Sequence, residues 1–380
     1  MNRELSIYLD LVRLLASLLV VRYHSNLRLL STEKLALSDH GHAAVIVFFV
    51  LSGYVISYIT ATRENTPLDY WSSRLSRFYS LALPAVLLTP LLDMAGQAMA
   101  PQFYVGGATT YGLAWLRIAT SLGFLNEVWF VSIMSFSNVP YWSLCYEMWY
   151  YVLFAVVSFA AGRARLLLTA AVVLLLGPKI LLLVPVWALG VLLQRWSALR
   201  RVPPALGWLL FLASWPLYGL FQHYQLTELG SESLRRLVGE RLQHELTFSK
   251  FFLTDYPLAL IVACNFVGFQ AVSTSFRVPL RACEPLIRKL AACTFTIYIL
   301  HQPLLQFYAA LLRGDPGGPL YYWTTMAATL LTLYAIASVT ERQRHRLRRV
   351  IRGALERLVQ TSWWRRGIAA PMAGDGGSHV

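Results

Sequence analysis

His24 follows Arg13 by eleven positions inside an otherwise apolar segment. That spacing returns to within about 20° of the same helix face and separates the two by roughly 16 Å along the axis. Asp10 and Ser17 fall on the same stripe, so one face of a first helix presents Asp10, Arg13, Ser17 and His24 in order of depth, as the wall of a polar tunnel would. Histidine can take and return a proton near neutrality, which makes His24 the candidate general base for deprotonating a hydroxyl that attacks an activated carbonyl. The alternative is structural: Asp10 and Arg13 neutralise one another, and His24 caps a helix interface.

Further along, Ser143-Leu144 is followed by Glu147, a carboxylate placed to orient the imidazole or stabilise its charged form; the bland reading is a solvated or capping glutamate. Arg74 and Arg77 sit three apart, so on a helix two forked cations project together and suit a phosphorylated ligand, although the same pair would also satisfy the positive-inside rule. In Phe48-Phe49-Val50-Leu51-Ser52-Gly53, the Ser-Gly step permits close helix approach, with Ser52 a candidate tunnel residue. His301, two residues before Pro303, reads as a structural histidine that bonds backbone groups freed near the proline. No serine or cysteine nucleophile accompanies His24, and no metal site is indicated. Cys145, Cys264, Cys283 and Cys293 form no paired motif.

The elements that must position these groups are membrane helices. With 57% hydrophobic and 14% charged residues in 380, the chain exceeds what one soluble core can hide and fits an all-α polytopic membrane protein. About ten apolar stretches are long enough to be spans, near 5–27, 42–62, 78–99, 141–161, 164–178, 179–197, 204–222, 251–273, 289–311 and 321–341. The fifth and sixth are separated only by Gly177-Pro178 and could be one kinked helix plus a re-entrant piece. The first, carrying Asp10 and Arg13, reads as a retained signal anchor.

The formal charge of +14 raises the question of nucleic acid, but the arginines lie in alternate connectors and the tail, which is the pattern of topology rather than of nucleic-acid binding. Both termini are therefore expected in the cytoplasm. The mixed-charge stretch 223–250 is expected to form a partly helical external cap. Residues 1–341 make the membrane domain; 342–366 place apolar residues on one face of a basic helix, which reads either as a helix lying on an anionic leaflet or as a topogenic charge cluster. Residues 367–380 lack periodicity and are expected to be disordered.

Taken in order, Arg13 with ten residues before His24, the string FFVLSG at 48–53, Arg74-x-x-Arg77, and Trp142-Ser143-Leu144-Cys145-Tyr146-Glu147 resemble the membrane acyltransferase family 3, multi-span enzymes that O-acylate bacterial surface sugars. The resemblance runs over about the whole chain. It implies an acyl-CoA co-substrate, usually acetyl-CoA, entering from the cytoplasm, no tightly bound cofactor, and a saccharide or glycolipid acceptor. It implies His24 as base, Arg13 as essential to the site, Arg74 and Arg77 on the CoA phosphates, and Ser143 with Glu147 in the external motif. Relatives more often have glycine near the arginine of the first helix, where this chain reads Tyr8-Leu9-Asp10-Leu11-Val12-Arg13. Some also carry a fused extracellular domain, so a separate protein of polysaccharide export or biosynthesis is an expected partner.

The expectation is thus a multi-pass enzyme of the bacterial inner membrane that transfers an acyl group, acetyl first, to a hydroxyl of a cell-surface or secreted saccharide. The competing class is a transporter of saccharide or acylated product, which would more typically show inverted repeats and paired broken helices.

Overall fold

The computed structural model describes residues 1–26, 30–104 and 112–361. Among them the chain is helical throughout and forms no strand: α1 (Arg3–Ser25), α2 (Gly41–Thr62), α3 (Pro67–Met99), α4 (Ala114–Leu122), α5 (Tyr141–Phe159), α6 (Gly162–Leu182), α7 (Val184–Arg195), α8 (Pro204–His223), α9 (Leu226–Val238), α10 (Glu240–Glu245), α11 (Phe252–Val272), α12 (Arg277–Ala291), α13 (Thr294–Leu312), α14 (Pro319–Val339) and α15 (Arg344–Thr361). The protein is an all-α polytopic membrane protein. Each of the ten expected spans overlaps a helix, the sixth reaching from the end of α6 into α7 and the ninth from the end of α12 into α13. Seven segments, containing α2, α3, α6, α8, α11, α13 and α14, are long and apolar enough to cross a membrane. Of the other three, α1 is interrupted by charge, α5 is rich in tyrosine and tryptophan, and α7 is short.

Two helix starts set the site. Asn2 Oδ1 accepts the Leu5 N–H at 2.8 Å, which begins α1 ahead of Asp10 and Arg13. Thr66 Oγ1 accepts the Asp69 N–H at 3.1 Å, and Pro67 occupies the first turn of α3. With 33 residues, α3 is about 50 Å long against a hydrocarbon core of about 30 Å, so its first turns, with Arg74 and Arg77, extend beyond the apolar span. A ladder of ion pairs ties α1 to the amphipathic α12: Arg3 to Glu284 at 2.7 Å, Glu4 to Arg281 at 2.6 Å, and Asp10 to Arg288.

Of the two readings of the fifth and sixth spans, the structure has the one kinked helix, followed by a short second piece. The helix passes through Gly177-Pro178 with a kink, and the break comes at Leu183. The twelve residues of α7 reach about 18 Å, too short to cross. The kink has an identifiable cause. Pro178 has no N–H for the Leu174 carbonyl, and Gly177 leaves the helix at φ 73°. The loop before α5 supplies the missing donors: the Trp129 indole bonds Leu174 O at 2.9 Å and the Trp129 N–H bonds Leu176 O at 2.8 Å. A Cβ at Gly177 would lie 2.6 Å from Trp129 Cα, so glycine is required both for the angle and for the approach.

Beside the kink, Lys179 is completely buried and donates to Glu127 Oε2 at 2.7 Å and to Val131 O at 2.6 Å. Across the bundle, α2 and α7 meet backbone to backbone. A Cβ on Gly53 would fall 2.0 Å from the Trp187 carbonyl oxygen, and one on Gly190 would fall 1.9 Å from that of Val50.

The mixed-charge stretch 223–250 folds into α9 and α10. The basic tail is helical as well, but α15 packs along α3, where Arg352 reaches Asp69 at 2.6 Å. Residues 362–366 and 367–380 lie outside the described residues.

Removing one member of a fully buried ion pair strands the other charge. Lys179→Met is therefore expected to lower stability by about 3–5 kcal/mol. The double variant Glu127→Leu/Lys179→Met should recover most of that loss; thermal unfolding of the purified protein checks both.

Candidate active site

Two cavities lie back to back in the bundle. The inner one, about 470 Å³, opens between the start of α3, the α1 turn bearing Asp10 and Arg13, the start of α13, and the junction of α14 with α15. Its charged lining comprises Asp10, Arg13, Arg77, Arg288, Glu147 and Glu341, together with Arg342 and Arg344 from the tail. Asp10 is shared between Arg13, at 2.9 Å, and Arg288. Glu341 accepts both the N–H and the hydroxyl of Thr296 at 3.1 Å, serving the first turn of α13. Glu147 Oε1 accepts from Ser52 at 2.5 Å and Tyr151 at 2.8 Å, and Ser52 in turn accepts the Trp187 indole N–H at 3.2 Å.

The outer cavity, about 750 Å³, holds His24 and is roofed by the α9–α10 segment and the residues before α2. Its wall includes His42, whose Nε2 lies 2.6 Å from the buried Asp255. Tyr23, Trp142 and Phe251 give it an aromatic lining.

Val45 and Tyr298 belong to the linings of both cavities. The Ser143 hydroxyl donates to Pro140 O at 3.0 Å, so its oxygen receives the Tyr298 O–H at 2.7 Å. Ser143 thereby fixes the ring that stands between the two spaces, with Phe48 packed on it at 4.9 Å between centroids.

Hydrogen bonds also assign the protons of the histidines. Nδ1 of the fully buried His301 faces the carbonyls of Ile297 at 3.0 Å and Tyr298 at 2.8 Å, which only accept, so Nδ1 carries its hydrogen. The lone pair of His301 Nε2 then faces His24 Nδ1 at 3.0 Å. His24 Nδ1 also faces the Val20 carbonyl at 3.0 Å. Both neighbours call for a proton on His24 Nδ1, which leaves Nε2 as a bare lone pair on a residue that lines the outer cavity. His301, buried behind it, thus orients the His24 imidazole and fixes its tautomer.

A family model described as an acyltransferase domain, that of acyltransferase family 3, matches residues 6–338. The chain belongs to acyltransferase family 3. No curated protein and no solved structure matches it. Family 3 membership makes it a membrane acyltransferase, and the helices make it a multi-pass one.

Against the family 3 site expected from the sequence, the structure separates what the motifs had grouped. The stripe on α1 is split: Asp10 and Arg13 line the inner cavity and His24 the outer one. Ser17 lines neither, its hydroxyl returning to the Leu14 carbonyl at 2.7 Å. Asp10 and Arg13 do pair, but Arg288 from α12 joins them. Glu147 and Ser52 bond each other and face the inner cavity; neither bonds His24. The place expected for Glu147 beside the imidazole is held by His301.

His301 does bond backbone carbonyls near the proline, those of Ile297 and Tyr298, but not that of Ile299, which Pro303 leaves without its helical donor, and it adds a contact to His24 that was not expected. A second ionisable side chain at membrane depth was the sequence signal for it. No local pattern announced Arg288, Tyr298 or the tail arginines.

Arg74 and Arg77 also part company. Arg74 is buried, bonds Glu64 at 2.6 Å, and lies near the rings of Tyr70 and Tyr151. Arg77 faces the inner cavity over the Phe295 ring at 5.0 Å, with a buried Nε that has no hydrogen-bond partner among the described residues. The two should respond differently. Arg74→Met strands Glu64 and is expected to cost about 3 kcal/mol, most of it recovered by adding Glu64→Gln. Arg77→Met should leave the melting temperature within about 1 °C, as for a group without such a partner. Thermal unfolding of the three variants distinguishes them.

Proposed function

We propose that this family 3 protein transfers an acyl group, acetyl in the simplest case, from cytoplasmic acyl-CoA to a hydroxyl of a cell-surface or secreted saccharide, working in the bacterial inner membrane with both termini inside. The observation that carries this reading is the chain from the Ile297 and Tyr298 carbonyls through His301 to His24, which leaves a proton acceptor at His24 Nε2 on the outer cavity while unpaired cationic groups face the inner one.

In this reading acyl-CoA enters the inner cavity with its phosphates among the arginines and its pantetheine arm directed past Tyr298. Glu147 is an acceptor for the amide N–H groups of that arm. The acceptor hydroxyl enters the outer cavity, whose aromatic and polar lining suits a sugar. His24 Nε2 takes the hydroxyl proton as the oxygen attacks the thioester carbonyl. A C–O bond forms, the C–S bond breaks, and the proton on Nε2 passes to the departing thiolate. His24 keeps its Nδ1 hydrogen throughout, so His301 supports the neutral and the charged ring in one orientation.

The test is release of free CoA from acetyl-CoA by the protein in nanodiscs with a glycan extract as acceptor. His24→Ala is expected to abolish turnover. His301→Leu should lower kcat by about 100-fold, in the range of a mispositioned general base, with KM for acetyl-CoA little changed. His301→Gln, whose amide oxygen can still accept from His24 Nδ1, should lose less. Turnover that survives His24→Ala overturns the assignment of the base.

A further inference from the structure

Five arginines line the inner cavity, and two of them, Arg342 and Arg344, come from the tail rather than from the membrane helices. Three carboxylates share this lining: Asp10 pairs with Arg13 and Arg288, Glu341 holds Thr296, and Glu147 holds Ser52 and Tyr151 through one oxygen, so the five arginines exceed the carboxylates by two. Arg342 bonds the Tyr334 hydroxyl at 3.3 Å and lies over its ring. Arg77 and Arg344 have no ion pair or hydrogen bond among the described residues, and the Nε atoms of Arg13 and Arg77 are buried without a partner. Guanidinium groups gathered from α1, α3 and α15 around one cavity, with donors left over, match a polyanion with several phosphate oxygens.

The tail is held where it can take part. At its start Glu341 anchors on the first turn of α13. Two turns into α15, Arg352 bonds Asp69 at 2.6 Å and is itself steadied by Glu356 at 2.9 Å. Asp69 belongs to the first turn of α3, the helix that carries Arg77. The Arg352–Asp69 pair, together with the packing of α15 along α3, therefore ties Arg344 to the helix that carries Arg77.

We propose that α15 is a wall of the donor site: Arg344, acting with Arg77, binds the phosphates of acyl-CoA, and the Arg352–Asp69 pair is the latch that positions it. This rests on the acyl-CoA reading above. The basic tail is then a ligand-binding element, and release of the latch would weaken donor binding without touching His24.

The experiment is calorimetric titration of CoA into the full chain in phosphatidylcholine nanodiscs, with the melting temperature of each ligand-free variant measured alongside. Arg344→Ala is expected to weaken CoA binding about tenfold, as loss of a charge-assisted contact does, with the ligand-free melting temperature unchanged. Arg344→Lys should fall between the two. Arg352→Ala should weaken CoA several-fold although it lies away from the cavity, and Arg352→Lys should retain most of the affinity. CoA affinity unchanged in both Arg344→Ala and Arg352→Ala overturns the role of the tail while leaving the donor reading standing. Loss of affinity only in step with a lowered ligand-free melting temperature makes α15 a structural prop and overturns it as well. Wild-type protein that binds no CoA overturns the donor reading itself.

Discussion

An ionised carboxylate inside a hydrocarbon-embedded bundle must be paired, and the inner half of this protein is arranged around one that is. Asp10 holds Arg13 on its own helix and Arg288 on α12. That triad, with the flanking pairs of Arg3 and Glu4, draws the amphipathic α12 against the start of α1 and places the beginning of α13 beside it. Arg13 also donates to the Ala291 carbonyl at 3.1 Å, just before α13 begins. The register of α13 against α1 is what brings Tyr298 between the cavities and His301 to His24. A charge cluster near the start of α1 thus sets the geometry of the histidine pair several turns away.

The helices that carry this chemistry are those the lipid could least accommodate alone. The seven apolar segments leave out α1, with Asp10, Arg13 and His24, and α5, with Ser143 and Glu147. The polar positions of both face the bundle: on α1 Ser17 is buried while Leu15 and Leu18 are exposed, and Tyr146, Tyr150 and Tyr151 of α5 are completely or almost completely buried. Their hydroxyls find partners within the bundle, Tyr146 at Ser249, Tyr150 at the Ile180 carbonyl, and Tyr151 at Glu147. The polar sequence of these two helices is tolerable because the apolar ones insulate it.

This explains what could be read from the chain and what could not. The all-helical class follows from hydropathy, because each span must satisfy its own backbone in lipid; the number of crossings does not, since about ten were expected and seven segments are long and apolar enough. The α1 stripe is legible because helical periodicity is local. Its continuity as a tunnel was not: Ser17 satisfies itself within its own helix, and α13 places Tyr298 across the path. Arg74 and Arg77 look equivalent in sequence, and only the fold of the 63–66 turn gives one of them Glu64. Gly177-Pro178 left a break and a kinked helix both open for the α6 and α7 segments, and what decides for the kink is Trp129, far away in sequence, which supplies the donors that let the helix continue to Leu182. His301 and the tail arginines acquire their meaning through contacts across 277 residues and across the whole bundle respectively, which no local pattern encodes.

The division into two cavities has its own physical logic under the proposed reaction. A nucleotide carrying several phosphates can be held where arginines lack partners, and those line the inner space; beyond Tyr298 the lining offers His24, His42 paired with Asp255, and aromatic rings. The thioester end of the donor is uncharged and slender, so it can approach the tyrosine while the phosphates stay behind. A hydroxyl acceptor meets it from the other side, where the only groundwork needed is a lone pair at His24 Nε2 in a fixed direction. His301 provides that direction from a position buried away from both substrates, with its own Nδ1 committed to two carbonyls. The proton inventory of the pair is therefore set by backbone groups that do not titrate, and the imidazole can accept and return a proton without the supporting network having to rearrange.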